Sequence, residues 1–271
     1  MSTYQPDLSR SQIEAIGRRL HADRIDEIDS LQNEVHASSG LYSKYFKRLI
    51  DIIVSLLALI VTLPINAAIA LITLIDLGRP LFFHQTRVGK NKQRFEIVKF
   101  RNMTEARNEY GDLLPPEQRV TKWGKFVRKT SLDELLNFWS ILKGDMSLIG
   151  PRPLPEIYLE RYSRRHMHRF DVRPGLECPP RDISKGVWTW DDQLENDIWY
   201  VENLSFRTDC KMLVNLFRFA FDAKSANARA VAKRGSFMGY DSSGRAINDA
   251  EIPDEYLVWV KTIGESDQEK Q

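Results

Sequence analysis

From Ile52 to Ile75 the chain carries no charged residue. About 20 consecutive apolar residues suffice to cross a bilayer, so this run sets it apart from ordinary soluble domains. Three details argue against a plain crossing. Pro64 sits near the middle, where it removes a helix hydrogen bond and forces a kink. Thr62 and Asn66 flank it with polar groups able to satisfy the opened backbone. Both ends are basic, with Lys44, Lys47 and Arg48 before the run and Arg79, Arg87, Lys90, Lys92 and Arg94 after it. The positive-inside rule therefore puts both ends on the cytoplasmic side. Each half spans roughly 18 Å at the helical rise, short of a hydrocarbon core of ~30 Å. A re-entrant helix–break–helix, broken at Pro64 and dipping into one leaflet, fits all three; a single span is the simpler alternative.

The run divides the chain. Residues 1–40 form a polar helical N-terminal extension and 41–78 the membrane helix. Residues 79–225 form the main domain and 226–271 a C-terminal extension. No cleavable signal peptide is expected, because the first long apolar run begins only near Leu49. Within residues 8–36, Ile13, Ile16 and Leu20 share one helical face, and Ile25, Ile28 and Leu31 resume it. This helix either packs on the main body or carries a partner or homo-oligomer contact. Ser38-Ser39-Gly40 reads as the joint that ends it. The formal charge of +2 shows no bias towards nucleic acid. Cys178 and Cys210 lie far apart in sequence and suit a reducing, cytosol-facing environment.

Beyond Gly78-Arg79-Pro80, Phe82–His84 and Phe95–Val98 read as strands of a hairpin around Gly89-Lys90-Asn91. Lys99 and Arg101 close the second strand, as a solvated face or as cations aimed at phosphates. Residues 104–119 read as a loop-rich insertion. The spacing of Ser131 and Glu134 predicts a helix start, with Ser131 as N-cap and Glu134 completing a capping box, and the helix ending near Gly144. A helix N-terminus also favours anions. Asp133, beside Arg128, should stay ionised and is a candidate nucleophile towards phosphorus. Glu134 is the candidate ligand for a divalent metal.

Gly150-Pro151-Arg152-Pro153 fixes φ on both sides of one arginine, as a turn or as a phosphate clamp; Arg173-Pro174-Gly175 resembles it. The basic run Arg161–Arg173, with His166 and His168, lacks metal-ligand spacing and reads as a solvated or headgroup-facing surface. Trp188, Trp190, Trp199 and Tyr200 suit a core, a bilayer interface or base stacking. Asp209–Lys224 has the pattern of an amphipathic helix, facing the core or lying on the membrane. The tail begins polar and Gly-rich, then offers one apolar patch, Tyr256–Val260. No P-loop or dinucleotide glycine motif occurs.

The motif order resembles the monotopic phosphoglycosyl transferases, also called the bacterial sugar transferase family. It runs Lys47-Arg48-x-x-Asp51, a Pro-broken membrane helix, Gln85-x-Arg87-x-Gly89, Lys99-Phe100-Arg101-x-Met103 and Ser131-Leu132-Asp133-Glu134-Leu135. Lys143-Gly144-Asp145-Met146-Ser147 and Gly150-Pro151-Arg152-Pro153 complete it. The resemblance covers about residues 44–224. It implies a mixed α/β fold, a small helix-rich catalytic domain with a re-entrant helix and interfacial amphipathic helices. The implied activity is transfer of a phosphosugar from a nucleotide diphosphosugar, usually a UDP-sugar, to polyprenyl (undecaprenyl) phosphate. That reaction releases UMP and initiates glycoconjugate assembly on the cytoplasmic face of the bacterial inner membrane. By the same resemblance Asp133 forms a covalent phosphosugar intermediate and Glu134 supports Mg²⁺, with Lys99, Arg101, Arg128, Arg152 and Arg173 binding phosphate. Two stretches depart from the pattern. Leu63-Pro64 replaces Ser-Pro at the break. Glu177-Cys178-Pro179-Pro180-Arg181-Asp182 replaces the usual Thr-Gly-Trp-Ala-Gln. That altered stretch and the extensions also suit a non-catalytic membrane-anchored adaptor. A lipid-diphosphate phosphatase is a third reading.

Overall fold

A computed structural model describes residues 8–109, 111, 113–181, 188–221 and 235–268. Asp182, Val187, the end of the expected 209–224 helix and residues 225–234 of the tail lie outside them. Helix α1 is Arg10–Leu31, capped by Ser9 and Gln12 in a reciprocal box. A π-type turn, Tyr42–Phe46, leads into α2, Lys47–Leu77. Strands β1 (Phe82–Val88) and β2 (Arg94–Phe100) form the expected hairpin. Its turn holds Asn91 and Lys92 at positive φ.

Next come α3 (Pro116–Arg119), α4 (Lys122–Thr130) and α5 (Asn137–Lys143). Strand β3 (Ser147–Ile149) pairs in parallel with β4 (Gly175–Glu177), which follows the short helix α6 (Arg164–Met167). A Cβ on Gly175 would lie 2.2 Å from the Gly150 nitrogen, so only glycine permits this approach. Helices α7 (Trp190–Glu202) and α8 (Phe206–Phe221), hairpin β5–β6 (Phe237–Tyr240, Ala246–Asn248) and α9 (Asp254–Gln268) complete the order. The architecture is thus mixed α/β and helix-rich, with one helical run, Tyr42–Leu77, long and apolar enough to cross a membrane.

Pro64 lies inside α2, and helical geometry is held on both sides of it. A proline removes one rung of the ladder, and the rungs on either side can hold helical geometry across it. Thr62 donates to the Ala58 carbonyl at 2.7 Å and accepts from Asn66 at 3.2 Å, so these two side chains are tied to the helix itself. The burial of α2 inverts that of a soluble helix. Asp51, Ser55 and Thr73 are buried, whereas Ile60, Val61 and Leu63 are 62–70% exposed.

Both ends of α2 are fastened to the main domain. At its start, Arg48 donates to the Ile141 and Leu142 carbonyls at 2.6 and 2.7 Å. Asp51 accepts from Ser147 and from the Leu148 amide, and Lys47 pairs with Asp209 at 2.6 Å. At its end, Trp123 donates to Thr73, Thr121 to Asp76, and Arg101 to the Leu77 and Gly78 carbonyls.

The aromatic stretch is core: Trp190 and Tyr200 are buried, and α7 joins two apolar clusters. Of the amphipathic 209–224 pattern, Met212 is buried while Leu213 and Val214 stay exposed. The two extensions fold against each other, because Ile16 and Leu20 of α1 share a cluster with Met238, Ile247, Ile252, Tyr256 and Val260.

The basic run 161–173 is only partly a solvated surface: the Arg164 side chain is 82% exposed, but Arg161, His166 and Arg169 are buried. Arg169 pairs with Asp197 at 2.8 Å, and His166 sits between Glu195 at 2.9 Å and Tyr240 at 2.7 Å. The partners come from α7 and β5, distant in sequence, and pairing is what makes burying such charges tolerable.

Candidate active site

Helix α4 ends at Ser131, which adopts φ 55°, ψ 23° and returns its amide to the Val127 and Arg128 carbonyls. The expected capping box is therefore absent. Ser131 closes one helix, and its side chain caps nothing in the 3₁₀ turn Leu132–Glu134 that follows. Only at Asn137 does α5 begin. A left-handed residue between two helical segments turns the chain sharply. It sets Asp133 and Glu134 on a short turn in the wall of a cavity of about 770 Å³.

Hairpin strand β2 supplies the opposite wall. Lys99 donates to Glu134 Oε1 at 2.8 Å, and Arg152 donates to the same oxygen at 2.8 Å. Among the described residues Glu134 Oε2 carries no hydrogen bond, and Asp133 forms no ion pair. Asp133 accepts from Asn102 Nδ2 at 3.4 Å; Asn102 in turn accepts from Arg128 at 3.1 Å. Gly124 lets α4 reach that strand end, since a Cβ there would fall 2.0 Å from the Asn102 carbonyl oxygen.

The two carboxyls are driven apart. Burial raises Asp133 above the usual range; Lys99 opposes that, and the charge on Glu134 adds to it. Burial acts on Glu134 in the same sense, but Arg152 and Lys99 outweigh it and hold Glu134 below its ordinary value. Adjacent carboxyls with opposed environments are the usual sign of divided roles.

The expected phosphate-binding residues separate into three groups. Lys99, Arg101 and Arg128 line the cavity. Arg101 is also engaged at the end of α2, where its charge opposes the negative end of the helix dipole. Arg152 stands outside the cavity lining, behind Glu134, with Glu177 Oε2 at 2.9 Å on its other side. Arg173 lines no part of the cavity and donates to the Gly144 carbonyl at 2.9 Å.

Sequence reasoning missed Glu177 and Asn102, and it missed the 104–119 segment, whose Glu105, Arg107 and Arg119 complete the cavity wall. The dense charge of that segment was the available signal. Among the described residues no group of three or more His, Cys, Asp or Glu side chains forms a metal cage. Two adjacent carboxylates do fit Mg²⁺, which keeps waters and substrate phosphates in its shell and needs few protein ligands.

The sequence profile described as bacterial sugar transferase matches residues 42–223. The chain is 40% identical over 167 residues to the "Uncharacterized sugar transferase EpsL" of Bacillus subtilis, covering 62% of this chain and 83% of that protein. It is 32% identical over 203 residues to the UDP-N-acetylgalactosamine-undecaprenyl-phosphate N-acetylgalactosaminephosphotransferase of Aeromonas hydrophila, covering 72% and 48%. With the UDP-glucose:undecaprenyl-phosphate glucose-1-phosphate transferase of Escherichia coli it shares 36% over 181 residues, covering 63% and 39%. The chain thus spans less than half the length of the last two.

Proposed function

Since the chain belongs to the bacterial sugar transferase family, we propose that it moves a phosphosugar from a nucleotide diphosphosugar, a UDP-sugar, to undecaprenyl phosphate. The observation that carries this reading is the opposed state of the two adjacent carboxyls. Glu134 is spent on two cations, whereas Asp133, buried and free of any ion pair among the described residues, keeps an oxygen for attack.

In the first step an Asp133 oxygen bonds to the sugar-bearing phosphorus of the donor. The bridging P–O bond breaks, and its electron pair leaves with UMP. In the second step an oxygen of the lipid phosphate attacks the same phosphorus, the Asp133–phosphorus bond breaks, and Asp133 returns as carboxylate. Repulsion between carboxylate and diphosphate is the main barrier. Lys99, Arg101 and Arg128 offset it from fixed positions in the cavity wall. Glu134 Oε2 and Asp133 are the groups that would hold Mg²⁺, which would add charge neutralisation at the diphosphate. The covalent intermediate lets one small site serve a soluble donor and then a lipid acceptor, with ping-pong kinetics.

The membrane-facing part of the reading is that α2 is re-entrant. Both its ends are tied to the main domain, at Arg48 and Asp51 and at Thr73 and Leu77. Two ends held by one polar body belong on one side of a bilayer, here the cytoplasmic face of the inner membrane. The exposed apolar side of α2 then meets acyl chains at headgroup depth, where a lipid phosphate presents itself.

Two measurements test the chemistry. Intact-mass spectrometry after donor alone should show one phosphosugar adduct on the wild type and none on Asp133→Asn. UMP release should continue past one equivalent only when undecaprenyl phosphate is present. No UMP in any condition would mean an adaptor, and sustained release without acceptor a phosphatase.

A further inference from the structure

Both terminal nitrogens of Arg152 are engaged. One terminal nitrogen donates to Glu134 Oε1 at 2.8 Å; the other donates to Glu177 Oε2 at 2.9 Å and to the Leu176 carbonyl at 3.3 Å. A substrate phosphate can grip both terminal nitrogens of this guanidinium only by displacing a carboxylate. The two carboxylates are not equally held. Glu134 is shared with Lys99, and its side chain is 25% exposed. The Glu177 side chain has Arg152 as its one ion pair among the described residues and is 36% exposed.

The main chain on either side cannot follow such an exchange. Arg152 lies between two prolines, with its carbonyl held by the buried Arg169 at 2.8 Å. Glu177 is registered against Ile149, and Gly150 and Gly175 are packed without room for a Cβ. The exchange therefore falls to side chains, and Glu177, with one ion pair among the described residues, is the less firmly held carboxylate. Its other oxygen already accepts from the Cys178 amide at 3.3 Å, a resting place once Arg152 is released.

We propose that Glu177 is a positioning residue that occupies Arg152 as a built-in stand-in for phosphate and yields it to a phosphate of the substrate. This rests on the proposed reaction for its purpose, and on the geometry alone for the exchange. Glu177 then lowers affinity for a phosphate that engages Arg152, which speeds departure of the nucleotide product.

The test is calorimetric binding of inorganic diphosphate to the full chain in detergent, without donor or turnover. Glu177→Gln keeps the shape and removes the competing charge. It should tighten diphosphate binding about tenfold, the scale of one charge-assisted hydrogen bond. Glu177→Ala should tighten it similarly, and Arg152→Gln added to Glu177→Gln should abolish the gain. With donor, Glu177→Gln should lower KM and slow turnover through retained UMP. Unchanged or weaker diphosphate binding in both single variants would overturn the proposal, as would a gain that survives in the double variant. Because diphosphate binding needs no reaction, a wild type that releases no UMP would defeat the proposed function while the exchange at Arg152 is still decided.

Discussion

Replacing Asp133 with asparagine should move stability and activity in opposite directions. The residue is 7% exposed, its hydrogen bond from Asn102 is long at 3.4 Å, and among the described residues it has no ion pair. Burial, with the charge of Glu134 beside it, raises its pKa above that of the unfolded chain. The folded state therefore holds the proton more tightly than the unfolded one. Ionising Asp133 at neutral pH works against the fold, and this cost grows as pH rises from the unfolded value through the folded one. An amide of the same shape removes that cost. We expect Asp133→Asn to be more stable at pH 7 by about 0.5–2 kcal/mol, the range of such exchanges at functional sites. The advantage should vanish as pH falls below the unfolded value. Turnover should fall at least ~10⁴-fold, or about 5.4 kcal/mol of barrier, as for loss of a nucleophile. Urea denaturation at pH 7 and pH 4, run beside UMP release, reads both. An asparagine variant that is less stable, with activity lost only in proportion to unfolding, would show Asp133 to be a fold residue and refute this reasoning.

Other consequences follow from particular contacts. Single cysteines at Gly40 and Lys90, in a chain with Cys178 and Cys210 replaced by serine, should both resist an impermeant thiol reagent in intact cells and both react after lysis. Reaction of one alone from outside would contradict the re-entrant reading of α2. Asp197→Ala should cost about 3–5 kcal/mol by urea denaturation, because it leaves the buried Arg169 unpaired; adding Arg169→Met should recover much of that, and a cost below 1 kcal/mol for the single variant would mean that the pair is not isolated from water. Burial would raise the Glu195 carboxyl, but Arg165 and His166 outweigh it and pull it from its ordinary 4.5 to about 2. Its contribution to stability is therefore present above about 4.5 and lost as pH falls towards 2. Glu195→Gln should flatten the acid limb of a stability–pH curve, and an unchanged limb would exclude this carboxyl as its source.

Local pattern was enough to read the apolar run, the hairpin and the motif order, because each depends on neighbours a few residues apart. The Ile13, Ile16 and Leu20 face of α1 and the Ile52–Ile75 run follow from hydrophobic spacing, and the Gly89-Lys90-Asn91 turn from its residue types. The pairing Asp133-Glu134 was also legible, since adjacent carboxylates before an apolar run stand out in any chain. What spacing could not supply was the conformation of Ser131, which fits a capping box in sequence yet is left-handed in the fold. The choice depends on how α4 docks through Gly124 against Asn102, just beyond the end of strand β2. Likewise the basic residues look alike in sequence. Whether one lines the cavity like Lys99 and Arg128, closes a helix end like Arg101 and Arg173, or bridges two carboxylates like Arg152 is decided by the partners that tertiary packing delivers. Charge is a local property of the chain. The work a charge does depends on burial and on partners far away in sequence, and those exist only once the chain has folded.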